Sequence, residues 1–362
     1  DAELTAKLYR AAPVLVNETT GENPWGVSFS TMFHMTNDSH LFCTREELVA
    51  RGAKLHGNVF VGNGDEYLPL YEAKMFWHID HRFGSYEGND SRSDVHLTIP
   101  TPDQYRSPEY QVRPWYWVRR MDVVERSPSD LSWFLAFRDI TNTTNERTGV
   151  FTLLPWSGLS NKAPVLIPRV DFPNIISGFL ANLDALVFDF CIRQKMGGTS
   201  LNFYIVKQLP VLPPETYSSD LLRFIIPRVL ELTYTAWDLR AFADDVWAEA
   251  GAGLREAVTA QWEANAAATG GGHRDAVAPD WAPAPGPDPF PCPPFMWDEA
   301  RRALLRAELD GLYAHLYGLT REELAYILDT FPIVRRKDEA RYGEFRTKRL
   351  VLAAYEEVKS DP

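Results

Sequence analysis

The sequence has few cysteines and no long apolar run. Its three cysteines, Cys43, Cys191 and Cys292, are far apart and form no CxxC pair, so neither a zinc ribbon nor a disulfide framework is predicted. No stretch reaches the roughly 18 apolar residues of a membrane span, and the N-terminus lacks a signal-peptide pattern. We therefore expect a cytoplasmic protein with reduced thiols and no membrane partner. Because the chain begins at Asp1 without Met, we also expect it to be a piece of a longer protein.

An excess of positive charge is absent as well. The formal net charge of −12 argues against a surface coated with basic residues for nonspecific nucleic-acid binding. It leaves room for a local basic groove. The 45% hydrophobic content and 11 Trp predict a folded chain, and 362 residues suit two domains.

Residues 1–215 carry short strand-like runs. Apolar, β-branched and aromatic runs bounded by turns predict strands within 132–140, 148–156, 163–168 and 202–209. One helix with a single apolar face is predicted from Asn174 to Phe190. This part therefore predicts a mixed α/β domain with a substantial sheet.

Residues 216–362 predict an all-helical domain, which makes the whole fold α+β. Helical patterns occupy 219–249, 298–319 and 344–358, with Asp298 placed as an N-cap and Thr320 to Glu323 in capping-box form. Between them, residues 264–294 are dominated by Ala, Gly and Pro. Such a composition predicts a flexible loop.

Two methyltransferase-like motifs are incomplete. Phe60-x-Gly62-x-Gly64 has the shape of an S-adenosylmethionine-binding turn, but a hairpin with two glycines gives the same pattern. Cys292-Pro-Pro-Phe295 has Cys where the amide or carboxylate of an adenine-binding turn is needed. We expect this chain by itself to bind no cofactor and to have no catalytic residues.

A third motif is typical of metal-dependent nucleases. Asp65, Glu72 and Lys74 have the D…ExK order, in which two carboxylates hold a divalent metal and the lysine polarises water or phosphate. An ordinary amphipathic helix would also account for Glu72 and Lys74. His78, Asp80 and His81 follow and suggest a metal cluster, but ligand spacing of this kind within one segment is not diagnostic, so we favour histidines with hydrogen-bond partners in the protein.

Basic residues interleaved with aromatics predict DNA contacts. In RPWYWVRRMDVVER (113–126) and FRDITNTTNERT (137–148), Arg suits phosphate or guanine, Asn suits adenine, and aromatics stack. Neighbouring acids leave a salt-bridged sheet surface equally open. Across the chain, the candidate DNA-binding residues are Arg82, Arg113, Arg119, Arg120, Arg138, Asn142, Asn145, Arg147, Arg193, Lys195, Thr199, Ser200 and Lys207.

The last of these candidates lie in RQKMGGTSLNFYIVKQLPVLPPE (193–215), which has no acid before Glu215. The glycine pair predicts a turn, Asn202–Leu209 a strand, and Pro210–Pro214 a rigid exit toward the helices.

Five blocks in order along the chain resemble one family. They are NPWGVSFSTMFHMTNDSHLF (23–42), YLPLYEAKMFWHIDHRFGSYEG (67–88), FRDITNTTNERT (137–148), LANLDALVFDFCIRQKMGGTSLNFYIVKQLPVLPPE (180–215) and PFMWDEARRALLRAELDGLYAHLYGL (294–319). They look like the region downstream of the catalytic domain in large N6-adenine DNA methyltransferases of restriction-modification and phage-defence systems, including type IIG-like, BREX-like and DISARM-like methylases.

The resemblance implies a target-recognition domain followed by helical elements. The methyltransferase domain, with its S-adenosylmethionine, would lie upstream in the same polypeptide. Implied partners are double-stranded DNA, that upstream domain and other defence-system subunits. The resemblance supports the architecture and not individual DNA contacts, because recognition loops vary with the target.

The hypothesis from the sequence is therefore readout of duplex DNA that positions an adenine for flipping into the upstream catalytic pocket. Two alternatives stay open. One is a metal-dependent nuclease using Asp65, Glu72 and Lys74. The other is a protein-interaction module in which the acidic helical half docks other defence subunits.

Overall fold

The computed structural model describes residues 1–94, 96–169 and 173–358. Within these ranges every strand lies before residue 168 and every helix of 11 or more residues lies after residue 172, so the α+β prediction with a helical C-terminal part is confirmed. The strands are β1 (Ser28–Ser30), β2 (Lys54–His56), β3 (Val59–Gly62), β4 (Asp65–Tyr71), β5 (Trp117–Arg119), β6 (Trp133–Phe137), β7 (Phe151–Pro155), β8 (Gly158–Leu159) and β9 (Val165–Ile167).

The first sheet is antiparallel, in the order β1-β9-β6-β7. Its strand β6 reads WFLAF, and all five residues are buried. Trp133, Leu135 and Phe137 pack into one hydrophobic cluster, whereas Phe134 and Ala136 pack into a second one. Because alternate side chains of a strand point to opposite faces, a sheet covered on both sides needs a continuous apolar run.

The second sheet contains β2, β3, β4 and β5 in antiparallel order, with β8 parallel to β4. The β3–β4 hairpin turns at Asn63 (φ 55°) and Gly64 (φ 83°). Positive φ at both residues is the geometry that makes Asn-Gly common in two-residue hairpins. The FxGxG run is therefore the end of a strand and its turn.

The helices are α1 (Ala2–Ala11), α2 (Arg45–Ala50), α3 (Pro102–Arg106), α4 (Arg120–Arg126), α5 (Pro173–Asp184), α6 (Leu186–Lys195), α7 (Phe203–Lys207), α8 (Ser219–Thr233), α9 (Arg240–Glu249), α10 (Ala252–Ala268), α11 (Glu299–Leu316), α12 (Arg321–Asp329), α13 (Pro332–Tyr342) and α14 (Arg346–Val358). The Asp298 carboxylate caps α11 by accepting from the Arg301 amide at 2.9 Å, as predicted. The Thr320 capping box also forms.

Two local predictions are wrong. The helix predicted from Asn174 to Phe190 is interrupted at Ala185, whose backbone is extended (φ −65°, ψ 143°). The strand predicted at Asn202–Leu209 is the short helix α7. The Asn202 side chain accepts from the Ile205 amide at 3.1 Å, and this N-cap starts a helix in a run rich in β-branched and aromatic residues.

The Ala/Gly/Pro-rich segment differs from the prediction at its start, because α10 continues to Ala268. From Thr269 onward the chain has no regular helix or strand until α11. His273 nevertheless joins two distant segments, with ring nitrogens 2.7 Å from the Pro294 carbonyl and 2.7 Å from the Arg106 carbonyl. The irregular loop is thus packed onto the protein, and its flexibility stays a prediction.

The predicted domains share a hydrophobic core. One cluster contains Leu8, Phe151 and Phe188 from the first part together with Phe242 and Leu312 from the second. The boundary at 215/216 stays a prediction.

In the described ranges, no single helix is both long and apolar enough to cross a membrane, and one bent pair, α5 with α6, passes that test only when the two are joined.

Candidate nucleic-acid interface

Two of the predicted DNA contacts are buried structural arginines. Arg82 is 0% exposed. Its guanidinium donates to the carbonyls of Tyr105 and Ser107, each at 2.9 Å, and to the Thr235 hydroxyl at 3.1 Å. Arg147 is also buried, with Nε 3.0 Å from an Asp189 carboxylate oxygen. Because a buried cation needs such partners within the protein, neither side chain can reach DNA in this conformation, and both predictions are corrected.

Arg138 and Arg193 serve the fold in a similar way. Arg138 donates to the Phe76 carbonyl and lies 4.6 Å from the Trp77 ring centre, and burial lowers the pKa of its guanidinium to about 9. The Arg193 side chain is 8% exposed and donates to the carbonyls of Asn145 (2.8 Å) and Thr330 (3.2 Å). Both hold loops in place, so their assignment as DNA contacts is corrected too.

The arginines near the second sheet form surface ion pairs. Arg119 pairs with Asp122 at 3.2 Å, and Arg120 pairs with Glu66 while lying 5.2 Å from the Trp156 ring centre. Both side chains are about half exposed (50% and 47%). Arg113 is only partly exposed and donates to the Asn58 side chain at 3.1 Å. An exposed ion pair contributes roughly 0–1 kcal/mol, so Arg120 can exchange Glu66 for a phosphate, whereas Arg119 is held by Asp122, whose side chain is only 12% exposed.

Three other predicted contacts already have polar partners within the protein. The Lys207 ammonium lies 2.7 Å from Glu18, the Ser200 hydroxyl donates to Asp139, and the Asn142 side chain accepts from the Thr144 amide at 2.9 Å. The last bond shapes an Asx-type turn.

The remaining predicted contacts are Asn145, Lys195 and Thr199. Together with the glycine pair Gly197 and Gly198 they define what we call the glycine-turn surface. All five residues are exposed. Two hydrogen bonds hold its parts together, one from the Thr141 amide to the Thr199 carbonyl (3.1 Å) and one from the Arg193 guanidinium to the Asn145 carbonyl (2.8 Å). Lys195 has no ion-pair partner in the described ranges.

The glycine pair in this surface is not required by the fold. Neither Gly197 nor Gly198 has a positive φ, and a Cβ on either would meet no atom within 4 Å. Many other glycines have a steric or conformational reason: a Cβ on Gly57, for instance, would lie 2.5 Å from the Trp281 ring. Where no such reason exists, the absence of side chains leaves the backbone open to close approach by a ligand.

The sequence patterns did not predict one concave feature of the surface. We call it the aromatic cleft; its volume is about 370 Å³. Its lining contains the aromatic residues Trp77, Phe83, Tyr105 and Trp297, the basic residues Lys337, Arg341 and Arg346 from α13 and α14, and the acids Glu146, Glu299 and Asp338. The signal was present in IVRRKDEARYGEFRTKRL (333–350), which contains seven Lys or Arg residues against three acids.

The floor of the aromatic cleft contains His78 and Asp310, and a small cavity behind it reaches Asp184. The His78 Nε2–H donates to the Asp184 carbonyl at 2.9 Å, and burial lowers the pKa of this imidazole well below its usual range. Burial raises the pKa of Asp184 well above normal and the pKa of Asp310 to about 6. The floor therefore favours uncharged forms of all three groups.

The nuclease alternative is not supported by the geometry. Asp65 and Glu72 are separated by the whole of strand β4, which places them on the order of 20 Å apart at about 3.3 Å per residue. Glu72 is instead paired with Arg92 (2.8 and 3.2 Å), and Lys74 donates to the Asp94 carbonyl at 2.5 Å. Two carboxylates so far apart cannot share a metal ion, so this prediction is wrong. No group of three or more His, Cys, Asp or Glu in the described ranges is arranged to hold a metal.

Comparison with known proteins adds no assignment. No protein-family model matches the sequence, and no curated protein matches it either.

Proposed function

We propose that this chain is the target-recognition part of an adenine-specific DNA methyltransferase and that the glycine-turn surface contacts duplex DNA. The supporting observation is the open glycine pair beside an unpaired lysine: the fold does not require Gly197 or Gly198, and Lys195 lies free next to them. Such a surface lets a phosphate backbone approach closely while the ammonium neutralises it.

Polar side chains on the same surface provide the means of base readout. Asn145 and Thr199 are exposed beside the turn. An Asn side chain can bond bidentately to adenine, and a Thr hydroxyl can donate or accept at a base edge. The bond from the Arg193 guanidinium to the Asn145 carbonyl and the bond from the Thr141 amide to the Thr199 carbonyl restrain these two segments, which reduces the entropy cost of ordering them on binding.

Arg119 and Arg120 would provide a second phosphate contact. Arg120 would release Glu66 when a phosphate is available, because both side chains of this pair are solvent-exposed. Arg119 would stay paired with Asp122, whose side chain is only 12% exposed, and would use its remaining donors. The net charge of −12 then restricts attraction for DNA to these basic regions.

In the complete enzyme, an upstream domain of the same polypeptide would bind S-adenosylmethionine and methylate the adenine that this chain positions for flipping. Such an enzyme would act in the cytoplasm, in restriction-modification or phage defence, together with other defence subunits.

The test is the salt dependence of duplex binding, measured by fluorescence anisotropy with a labelled duplex of random sequence. We expect log K to fall with log salt, with a slope that becomes shallower by about 0.9 when Lys195→Ala removes one phosphate contact. Lys54→Ala is the matched control, because Lys54 is an exposed lysine on β2. Absence of salt-dependent binding, or equal slopes for Lys195→Ala and the unaltered chain, would refute the proposal.

A second variant tests close approach without changing charge. Gly198→Leu adds a side chain into open space, so the fold should tolerate it while DNA binding weakens. Gly253→Leu, at an exposed position of α10 where an added Cβ meets no atom nearer than 3.9 Å, should leave binding unchanged.

A further inference from the structure

The aromatic cleft is a second site, separate from the contacts proposed for duplex readout. We infer that it binds a nucleotide unit, with the phosphate held by Arg341 and Arg346 and the base packed against the aromatic lining residues.

A phosphate-binding region is indicated by a pair of guanidinium groups without acid partners. Arg341 and Arg346 lie 5.2 and 4.6 Å from the ring centre of Tyr342, so both cations are held at one place beside the cleft. Neither has a carboxylate within ion-pair distance among the residues described, whereas neighbouring Lys337 is paired with Glu146. Unpaired arginines that converge in this way suit bidentate binding of phosphate.

A base-binding region is indicated by the aromatic residues that line the cleft. Trp77 stacks on Phe83 at 5.3 Å between ring centres, and Tyr105 stacks on Trp297 at 4.2 Å. The Arg302 guanidinium lies 3.5 Å from the centre of Trp297, and it must cover the other face because the Tyr105 ring occupies the first. These residues therefore present ring edges, and a planar base would pack edge to face against them.

Size and composition both favour a nucleotide over simpler ligands. A volume of about 370 Å³ lies within the usual range for small-molecule sites, roughly 300–1,000 Å³. An inorganic anion would not use the aromatic lining residues, and an apolar molecule would not use the two guanidinium groups. A phosphate joined to a flat aromatic ring system uses both.

Two sources could supply this chemistry: a free mononucleotide, or an extrahelical nucleotide in a DNA strand. Only the second source rests on the proposed function.

The free source is tested by titration calorimetry of the whole chain with dAMP, deoxyadenosine and inorganic phosphate. We expect dAMP to bind at least about tenfold more tightly than either fragment, and Arg341→Gln combined with Arg346→Gln to remove about tenfold of that affinity. The matched control is Arg335→Gln with Arg349→Gln. These two arginines lie on the same helices but pair with Glu339 and Glu344.

A filling variant tests the cleft without changing its charge. Ala303 on α11 lines the cleft, and Ala303→Phe should block it; exposed Ala300 on the same helix provides the control Ala300→Phe.

For the DNA source, a duplex with a one-nucleotide bulge should bind about tenfold more tightly than a fully paired duplex. Ala303→Phe should remove this advantage and leave binding of the paired duplex intact.

Preferential binding of dAMP supports a site for a free mononucleotide, and preferential binding of the bulged duplex supports a site for an extrahelical nucleotide. The inference is overturned if neither dAMP nor the bulge is preferred, or if the preference survives both Ala303→Phe and the Arg341/Arg346 variant. Binding of the paired duplex is scored separately, so failure of the nucleotide site and failure of the proposed function are distinguishable.

Discussion

Two groups of basic residues look alike in the sequence and differ in the folded chain. Arg82 and Arg147 are buried, and their donors are directed to carbonyl and carboxylate oxygens of the protein. Lys195 is exposed beside a glycine pair that the fold does not need. The comparison teaches that a basic residue near aromatics can serve the core as readily as a ligand. Only its partners distinguish the two roles.

The largest expected effect is loss of stability when a buried arginine is removed. Arg82→Met would leave the carbonyls of Tyr105 and Ser107 without their donors in the interior, at a cost of about 3–5 kcal/mol in the free energy of unfolding. Arg120→Met, at a half-exposed position, should change it by no more than about 1 kcal/mol. Urea unfolding measures both, and similar values for the two variants would remove the distinction between the groups.

A second prediction concerns pH and the floor of the aromatic cleft. Burial raises the pKa of Asp310 to about 6, so the folded state holds this proton more tightly than the unfolded state. The resulting stabilisation is full below the unfolded pKa of about 4 and is lost as pH rises through about 6. It should amount to about 3 kcal/mol, at 1.36 kcal/mol per pKa unit.

Asp310→Asn tests this linkage because the amide oxygen can still accept from the Leu186 amide. We expect the unaltered chain to lose about 2 kcal/mol relative to Asp310→Asn between pH 4 and pH 7, measured by urea unfolding at several pH values. Asp275→Asn, at an exposed position, is the control. Parallel pH profiles for the unaltered chain and Asp310→Asn would show that Asp310 titrates normally.

A smaller effect is expected at the start of α7. Asn202→Ala removes the N-cap bond to the Ile205 amide and should lower the free energy of unfolding by about 1 kcal/mol. Asn37→Ala, at an exposed position outside the helices, should have little effect. An unchanged unfolding midpoint for Asn202→Ala would favour the strand that the sequence pattern predicts there.

These cases show which features were predictable. WFLAF is a strand because its apolar run has the length and residue types of one, and Thr320 and Asp298 cap helices through local bonds that sequence spacing reveals. The helix break at Ala185 could not be predicted, because neither proline nor glycine occurs at that position. The residues FYIV have high strand propensity, so the sequence predicts a strand there. The N-cap at Asn202 instead starts the helix α7.

The site was less predictable than the fold. Burial of Arg82 depends on Thr235, which lies 153 residues away in the sequence, and local charge carries no information about such a partner. The aromatic cleft likewise brings Trp77 together with Trp297 and Arg346, which belong to three distant segments. Residue types alone therefore selected the residues of the glycine-turn surface as candidates, but they could not show which of the candidate basic residues are exposed and which are buried.

The most direct test of the central claim is photocrosslinking from the glycine-turn surface. p-Benzoylphenylalanine would replace Thr199 in one variant and Val277, which is 81% exposed in the Ala/Gly/Pro-rich segment, in another. The account predicts ultraviolet crosslinks to duplex DNA from position 199 and none from position 277. Crosslinks from position 277 alone, or from neither position, would contradict it.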